Sequence, residues 1–150
     1  MRFILAQLLD RCILKRKMNV WLLRIGEVLP IDEGEPRLLR MGLIAEEFHK
    51  SGAEITWFCS TFDHNLKKYR FEEKKEVNVK EGYMINLLHG RNYSKNLSIA
   101  RILHYYDERR QFEKIAAKKP KPDVILAAMP NIDLAFVAVK YGKKIMCLYS

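Results

Sequence analysis

Apolar and polar positions fall in blocks along the chain, and the blocks predict strands that alternate with helices. Asn19 to Val28 is a near-continuous apolar run, which is typical of a strand buried on both faces. Ala53 to Ser60 is a second such run, and Ser51-Gly52 before it is a helix-ending signal. Between the two runs, apolar residues recur at helical spacing: Leu38, Met41, Ala45 and Phe48. This segment therefore predicts a strand–helix–strand unit.

The charged stretch from Lys67 to Lys80 is interpreted as a solvated loop or hairpin. Glu76 to Val79 and Tyr83 to Leu88 flank a Lys-Glu-Gly turn, which predicts a short antiparallel excursion that leads into a buried strand. A long helix to about Lys118 follows, and Pro120 and Pro122 end it. One face of that helix is expected to carry Ile99, Ile102, Leu103 and Tyr106.

Val124 to Met129 predicts a further strand, which we expect to lie centrally in the sheet. A helix is expected to follow it and to be closed by Gly142. One face of that helix is expected to carry Ile132, Ala135, Phe136 and Val139. Strands that alternate with helices predict an α/β domain with a mainly parallel sheet. Ligands of such sheets bind beyond the carboxyl ends of the strands. The strand-end segments here are Glu27–Arg37, Ser60–His64, His89–Arg91 and Met129–Asn131.

The composition narrows the possible partners. The 150 residues suffice for one domain, and the net charge of +9 favours an anionic partner: a membrane surface, a sugar nucleotide or a nucleic acid. Because no nucleic-acid-reading motif accompanies the charge, we expect no nucleic-acid partner. Cys12, Cys59 and Cys147 lack metal or disulfide spacing and are interpreted as buried or incidental thiols in a reducing cytoplasm. No run approaches the roughly 20 apolar residues of a membrane span.

Gly34 lies in the loop between the first strand and its helix, where glycine lets a ligand approach the backbone. The helix that follows could direct its free N–H groups at a phosphate, and Arg37 and Arg40, expected in its first turns, would add positive charge. The alternatives are a tight connection without a ligand and two solvated arginines, because a single glycine lacks the spacing of a dinucleotide-binding motif.

His89 follows a buried strand and precedes Gly90, with Arg91 beside it. A histidine there could exchange a hydrogen bond with a sugar hydroxyl, and Arg91 could reach an acceptor phosphate. His64 ends the preceding strand in the same way, and for both histidines a structural role is the alternative. His49 and His104 are expected on helices, structural or exposed. No Ser/His/Asp set and no metal-ligand set is evident, and the catalytic residues remain unassigned.

Three pieces of the chain resemble the N-terminal half of a family-4 glycosyltransferase of the GT-B fold. They are GEVLPIDEGEPRLLRMGLIAEEFHKSGAEITWFCSTFDH, INLLHGRNYSKNLSIARILHYYDERRQF and KPDVILAAMPNIDLAFVAVKYG. The second is the most specific, and is similar to transferases of N-acetylated amino sugars, including the N-acetylfucosamine type, onto lipid-linked acceptors. The resemblance implies a Rossmann-like three-layer domain over residues 18–142.

The resemblance also implies a retaining transfer from a nucleotide-sugar donor to a lipid-linked or polysaccharide acceptor, in cell-surface polysaccharide biosynthesis. The domain would mainly bind the acceptor, no cofactor or metal would be needed, and the donor is a substrate. The location would be cytoplasmic, with peripheral contact to the inner face of an anionic membrane. The acceptor or donor cleft would be formed by Gly34, Glu35, Arg37, His64, His89, Arg91, Pro130 and Asn131.

The two ends of the chain depart from the family pattern. Residues 1–17 are interpreted as an extension or a mis-assigned start, with an interfacial helix as the alternative. Residues 143–150 end in KIMCLYS where relatives continue into a Pro-containing strand, which predicts a truncation or a frameshift near Lys143-Lys144. The resemblance places donor binding in a second domain, so we expect the chain to be inactive alone. Two alternatives stay open: a non-catalytic nucleotide- or sugar-binding module, and a basic peripheral membrane protein.

Overall fold

A five-stranded sheet forms the centre of the domain in the computed structural model, which describes residues 17–63, 66, 68–91, 93, 98–128 and 132–146. The strands are β1 (Asn19–Leu23), β2 (Glu54–Ser60), β3 (Phe62–Asp63), β4 (Lys68–Tyr69), β5 (Lys75–Lys80), β6 (Tyr83–Leu88) and β7 (Val124–Ala127). The helices are α1 (Arg40–Lys50), α2 (Ile99–Ala116) and α3 (Ile132–Met146).

The strand order in the sheet is β5-β6-β2-β1-β7. β6, β2, β1 and β7 run parallel, whereas β5 pairs antiparallel with β6 across the turn at Gly82. β3 and β4 form a separate two-stranded antiparallel ribbon. The predicted α/β domain with a mainly parallel sheet is confirmed, and so is the antiparallel excursion before β6.

Both faces of the sheet are covered, which gives three layers. Along β1, Val20 and Leu22 point into a core shared with α1, while Trp21 and Leu23 point into a core shared with α2 and α3. All four side chains are essentially inaccessible to solvent. This two-sided burial explains why β1 is a continuous apolar run rather than an alternating one.

Aromatic rings dominate the core beneath α2 and α3. The Trp21 ring lies edge-on to Phe58, with centroids 5.2 Å apart, and stacks on Tyr141 at 5.5 Å. The Tyr141 hydroxyl donates to the carbonyl of Ala116 at 2.9 Å, which links α3 to the end of α2. These contacts hold the two helices side by side on one face of the sheet.

Three predictions differ from the structure: the end of the first strand, the position of the last strand, and the end of the last helix, which continues through Gly142 to Met146 instead of closing at Gly142. β1 ends at Leu23 rather than Val28, because the chain bends at Gly26 (φ 75°) and the buried Ile25 and Leu29 belong to an inward-packed loop. The strand from Val124 was expected to lie centrally, but among the described strands β7 is at the edge of the sheet and pairs with β1.

The apolar residues predicted to share one face of each of the last two helices lie mainly on the side that is turned away from the sheet. α2 buries its opposite face through His104, Glu108, Phe112 and Ala116. α3 buries Leu134, Val137 and Ala138, and leaves Phe136 64% and Val139 57% exposed. Spacing alone could not decide between the two faces of each helix, because both faces carry apolar residues.

Gly90 allows α2 to approach the residues that follow β6 very closely. A Cβ atom at Gly90 would lie 2.5 Å from His104 Nδ1 and 2.8 Å from the His104 carbonyl oxygen. Those distances are far below van der Waals contact, and one of the two atoms is backbone. The helix can therefore pack here only against glycine.

We predict that Gly90→Ala destabilises the fold by about 1–3 kcal/mol, because α2 would have to move away from the strand end. Gly142→Ala is the matched control: it lies inside α3 with nothing within 4 Å of its added methyl group. Alanine there should stabilise the protein by about 0.5–1 kcal/mol through helix propensity. Urea unfolding of both variants measures the difference, and equal midpoints would contradict it.

Candidate functional site

The carboxyl ends of the four parallel strands meet at one edge of the sheet, where a crevice forms in parallel α/β domains. The loop after β1 contains Gly34, Glu35 and Arg37, and His89 and Arg91 follow β6. These five predicted site residues therefore follow strand ends on the same edge, as the sequence predicted. The other three, His64, Pro130 and Asn131, lie outside the described residues.

The loop from β1 to α1 leaves Gly34, Glu35 and Arg37 exposed to solvent. Gly34 has a φ of +82°, a left-handed conformation that glycine adopts without strain. The placement of Arg37 in the first turn of the helix is wrong, because α1 begins at Arg40 and is preceded by Leu39 in an extended conformation. Arg40 is in the first turn, as predicted.

The N-terminus of α1 already holds an anion, the carboxylate of Glu27. Glu27 is 5% exposed, and its Oε1 accepts a hydrogen bond from the Met41 N–H at 2.8 Å. Arg24 Nε lies 3.3 Å from the other carboxylate oxygen. The predicted phosphate site at this helix therefore has one donor fewer than expected. The sequence does signal this role, because Glu27 lies inside an apolar run, and a glutamate is almost never fully buried unless it is paired.

Arg70, which follows β4, connects the loop after β1 to the β3–β4 ribbon at this edge of the sheet. Its Nε and Nη2 donate to the two carboxylate oxygens of Asp32 at 2.6 and 3.0 Å. Nη2 also donates to Asp63 Oδ2 at 2.8 Å and to the Glu27 carbonyl at 3.3 Å. The side chain is only 9% exposed. Burial alone would lower the pKa of the guanidinium, but the Asp32 hydrogen bond and the nearby carboxylates raise it.

The interpretation of residues 67–80 as a solvated segment is therefore incomplete, because Arg70 turns inward while its neighbours Glu72 to Glu76 are exposed. The position of Arg70 among eight charged residues in this stretch gave no signal of its role. What distinguishes Arg70 is its pairing with Asp32, which is remote in the sequence, and with Asp63, which lies across the ribbon.

We predict that Arg70→Gln destabilises the domain by about 3–5 kcal/mol, because two carboxylates lose the cation that compensates their burial. Arg70→Lys should recover only part of this loss, since an ammonium group lacks the two-pronged geometry that binds Asp32. Arg91→Gln is the control, because it removes an exposed arginine that also pairs with an aspartate. If chemical denaturation shows equal losses for Arg70→Gln and Arg91→Gln, the assigned role of Arg70 is wrong.

His89 is held in place from three sides. Its Nδ1 lies 2.9 Å from Thr61 Oγ1, and its ring stacks on Tyr69 with centroids 4.8 Å apart. Gln111 holds the backbone: its Oε1 accepts from the His89 N–H at 2.9 Å, and its Nε2 donates to the His89 carbonyl. The Tyr69 hydroxyl donates to the Gly90 carbonyl at 2.9 Å. The imidazole therefore has a fixed orientation.

His89 lines an open groove of about 360 Å³ between α2 and the start of β5. The remaining lining residues are Glu73, Lys74, Gln111, Lys114 and Ile115. Within the part of the chain that the structure describes, His89 Nε2 makes no hydrogen bond. The tautomer that donates from Nδ1 to Thr61 leaves Nε2 as an acceptor for a ligand hydroxyl. We call this cavity the His89 groove.

Arg91 is exposed and already paired. Its Nε donates to Asp107 Oδ2 at 2.8 Å, and its Nη2 donates to Oδ1 at 3.3 Å. This hydrogen bonding lowers the pKa of the Asp107 carboxyl and raises that of the guanidinium. The predicted contact of Arg91 with a phosphate would require the phosphate to compete with Asp107.

His104 belongs to a buried ion pair, which is the structural one of the two roles, structural or exposed, that the sequence allowed for it. Its Nε2 lies 3.1 Å from Glu108 Oε1, and its Nδ1 lies 2.8 Å from the Arg91 carbonyl. Both side chains are at most 1% exposed. The rings of Phe62, Tyr93 and Tyr105 surround the imidazole at centroid distances of 5.0–5.8 Å. The pair is a structural anchor of α2, next to the candidate site.

The pKa of His104 is raised: burial opposes its protonation, but the Glu108 carboxylate outweighs burial. The contribution of the pair to the free energy of unfolding is therefore complete below the unfolded-state pKa of histidine, about 6.5. That contribution is lost as the pH rises through the higher pKa of His104 in the folded state. We predict that the free energy of unfolding decreases between pH about 6 and about 8. Glu108→Gln should flatten this decrease, while Glu113→Gln, an exposed carboxylate on the same helix, should not. Denaturant titrations across this pH range test it.

Other reactive groups in the described residues offer little chemistry. Cys59 is fully buried, and desolvation raises its pKa to about 11, so the thiol is neutral and inert at ordinary pH. Cys12 and Cys147 lie outside the described residues. Among the described residues, no group of three or more His, Cys, Asp or Glu side chains is arranged to hold a metal ion.

Comparison with known proteins returned no family model that matches the chain and no significantly similar curated protein. None of the helices in the described ranges is long and apolar enough to cross a membrane. What the site can bind is therefore inferred from its geometry alone. It can bind a ligand that carries hydroxyl groups near His89 and negative charge near Lys74 and Lys114.

Proposed function

We propose that this chain is the acceptor-binding half of a retaining glycosyltransferase, and that the His89 groove holds the sugar–phosphate part of a lipid-linked or polysaccharide acceptor. The donor would be a nucleotide sugar, bound mainly by a second domain. The observation that carries the proposal is the fixed imidazole of His89, which lines a groove with two lysines at the carboxyl edge of a parallel sheet and whose Nε2 makes no hydrogen bond among the described residues.

The arrangement suits the recognition of an acceptor. An acceptor hydroxyl has to be oriented toward the anomeric carbon, and a histidine with one nitrogen tied to Thr61 provides a directed acceptor for it. Lys74 and Lys114 are exposed cations that attract the phosphate of a lipid-linked sugar. This division of roles matches what the resemblance implies for an N-terminal domain of the GT-B type.

The N-terminus of α1 supports acceptor binding over donor binding in this half. A donor diphosphate needs several free backbone donors, and Glu27 already accepts from the first-turn N–H of Met41. Stabilisation of the leaving diphosphate would then come from the second domain that the resemblance implies. The chain by itself should bind its acceptor without transferring sugar.

The test is calorimetric titration of the full chain with a water-soluble, short-chain prenyl-diphosphate-linked N-acetylhexosamine. We predict that His89→Ala weakens binding about tenfold, the usual effect of losing one hydrogen bond to a polar ligand. Lys74→Gln/Lys114→Gln should weaken binding of the same probe and reduce its dependence on salt. Lys50→Gln is the matched control, an exposed lysine on α1.

Three results would contradict the proposal. Equal affinities of the His89→Ala variant and the unmodified chain would exclude the groove as the acceptor site. Sugar transfer from a nucleotide sugar by the chain alone would contradict its role as an acceptor-binding half. Binding of the nucleotide sugar but not of the prenyl-linked probe would favour the alternative of a nucleotide-binding module.

A further inference from the structure

The buried pair of His104 and Glu108 contacts the segment that follows β6. His104 Nδ1 lies 2.8 Å from the Arg91 carbonyl oxygen, and its Nε2 lies 3.1 Å from Glu108 Oε1. Both side chains are at most 1% exposed. Neither carboxylate oxygen of Glu108 accepts a hydrogen bond from another described residue. One imidazole therefore connects a buried carboxylate to the backbone beside the His89 groove.

The two contacts of the imidazole determine where protons have to be. A carbonyl oxygen can only accept a hydrogen bond, so the contact with Arg91 requires a proton on Nδ1. The contact with Glu108 requires a further proton, on Nε2 or on the carboxyl group, because lone pairs would otherwise face each other. Both contacts are satisfied together only while the pair holds a proton at each of them.

Loss of one of these protons leaves the other to be shared between a carboxylate and a peptide carbonyl. A hydrogen bond to an ionised acceptor is roughly twice as strong as a hydrogen bond to a neutral one. The remaining proton should therefore stay on Nε2, toward Glu108. Nδ1 of His104 then presents a lone pair to the Arg91 carbonyl oxygen, and the contact becomes repulsive. Deprotonation thus releases the Arg91 backbone from α2.

The groups around His104 decide how readily its imidazole is charged. Burial opposes the charge, but Glu108 and, more weakly, Asp107 favour it, and the pKa of His104 is raised. The Arg91 guanidinium is exposed and is bound to Asp107, with its Nε 2.8 Å from Oδ2. Three uncharged aromatic rings complete the surroundings: Phe62 of β3, Tyr93 and Tyr105.

Short contacts connect Arg91 to His89. α2 packs so closely on Gly90 that a Cβ atom there would lie 2.5 Å from His104 Nδ1. The Gly90 carbonyl accepts a hydrogen bond from the Tyr69 hydroxyl at 2.9 Å, and the Tyr69 ring stacks on the His89 imidazole with centroids 4.8 Å apart. A shift of the backbone at Gly90 and Arg91 therefore reaches the group that orients His89.

We propose that the His104–Glu108 pair is a proton-controlled positioning pair for the His89 groove. While the imidazole carries a proton on both nitrogens, α2 holds the Arg91 carbonyl, and His89 is fixed for its ligand. When one proton leaves, the Arg91 carbonyl is released, and the groove loses affinity as the pH rises. His104 is a positioning residue, because it acts through Arg91 and Gly90. The ligand named in the binding test rests on the proposed function, whereas the response of His89 to the pair does not.

The first experiment is an NMR titration of the full chain, labelled with nitrogen isotope in its histidines, from about pH 6 to about pH 9. The ring nitrogen shifts of His104 report its protonation and its tautomer. The His89 amide donates to Gln111 Oε1 at 2.9 Å, so its hydrogen exchange reports how firmly the segment is held. We expect its protection, corrected for the intrinsic exchange rate, to fall about fivefold with the midpoint of His104.

Glu108→Gln removes the proton dependence while it preserves the shape of the side chain. The neutral amide can donate to Nε2, so a neutral His104 keeps its Nδ1 proton toward Arg91. Protection of the His89 amide should then change less than about twofold over the same pH range. Glu113→Gln is the matched control, an exposed carboxylate on the same helix, and should behave like the unmodified chain.

The second experiment measures the affinity for the prenyl-diphosphate-linked N-acetylhexosamine across the same pH range. We expect the Kd of the unmodified chain to rise about fivefold more than that of Glu108→Gln. Ionisation of the probe and titration of His89 itself occur in both chains, so the difference between the chains isolates the pair. If the probe does not bind at any pH, the proposed function is contradicted, and the exchange measurement decides the role of the pair.

Three results would overturn the inference. The first is unchanged protection of the His89 amide while His104 titrates, or a His104 that does not titrate in this range. The second is a neutral His104 with its proton on Nδ1 in the unmodified chain, because the Arg91 contact would then survive deprotonation. The third is an equal pH dependence of Glu108→Gln and the unmodified chain. Should Glu108→Gln fail to fold, as judged by its thermal unfolding, the first two results decide without it.

Discussion

Burial of the parallel strands on both faces imposes the organisation of this domain. Side chains of β1 alternate between two cores, and each core needs its own helical cover: α1 on one side and the pair α2–α3 on the other. Strands covered in this way carry mainly apolar side chains along their length, with Asn86 of β6 as a buried polar exception. Charged and hydrogen-bonding residues are therefore concentrated where the strands end, and parallel pairing brings those ends to the same edge.

At that edge, the charged groups differ in what they can offer a ligand. Arg70 Nε and Nη2 are engaged by Asp32 and Asp63, and Glu27 is engaged with the start of α1. These residues stabilise loops rather than bind ligands. His89 differs, because the groups that orient it, Thr61 and Tyr69, are uncharged and leave its Nε2 without a hydrogen bond among the described residues. This contrast is why the proposed acceptor site centres on His89.

The two helical layers also differ in what they present to the outside. A helix that covers a sheet needs only one apolar face, and α1 largely follows that pattern, with an ion pair on its outer side. α2 instead buries a histidine and a glutamate and exposes aliphatic side chains. The buried pair carries a desolvation cost, which its mutual attraction in the low-dielectric core offsets.

The sequence by itself determined the elements and their class. Continuous apolar runs indicated two-sided strands, and alternation with helices indicated parallel pairing, so the shared edge of Gly34 and His89 followed without coordinates. Local spacing could not reveal which face of α2 or α3 is buried, because both faces carry apolar residues and the choice depends on the fit to the sheet. Nor could it identify Arg70, His104 or Gln111, whose roles arise from contacts with residues up to 43 positions away. Tertiary packing alone decided the roles of these residues, because a polar or charged side chain becomes part of the structure only when the fold brings its partner beside it.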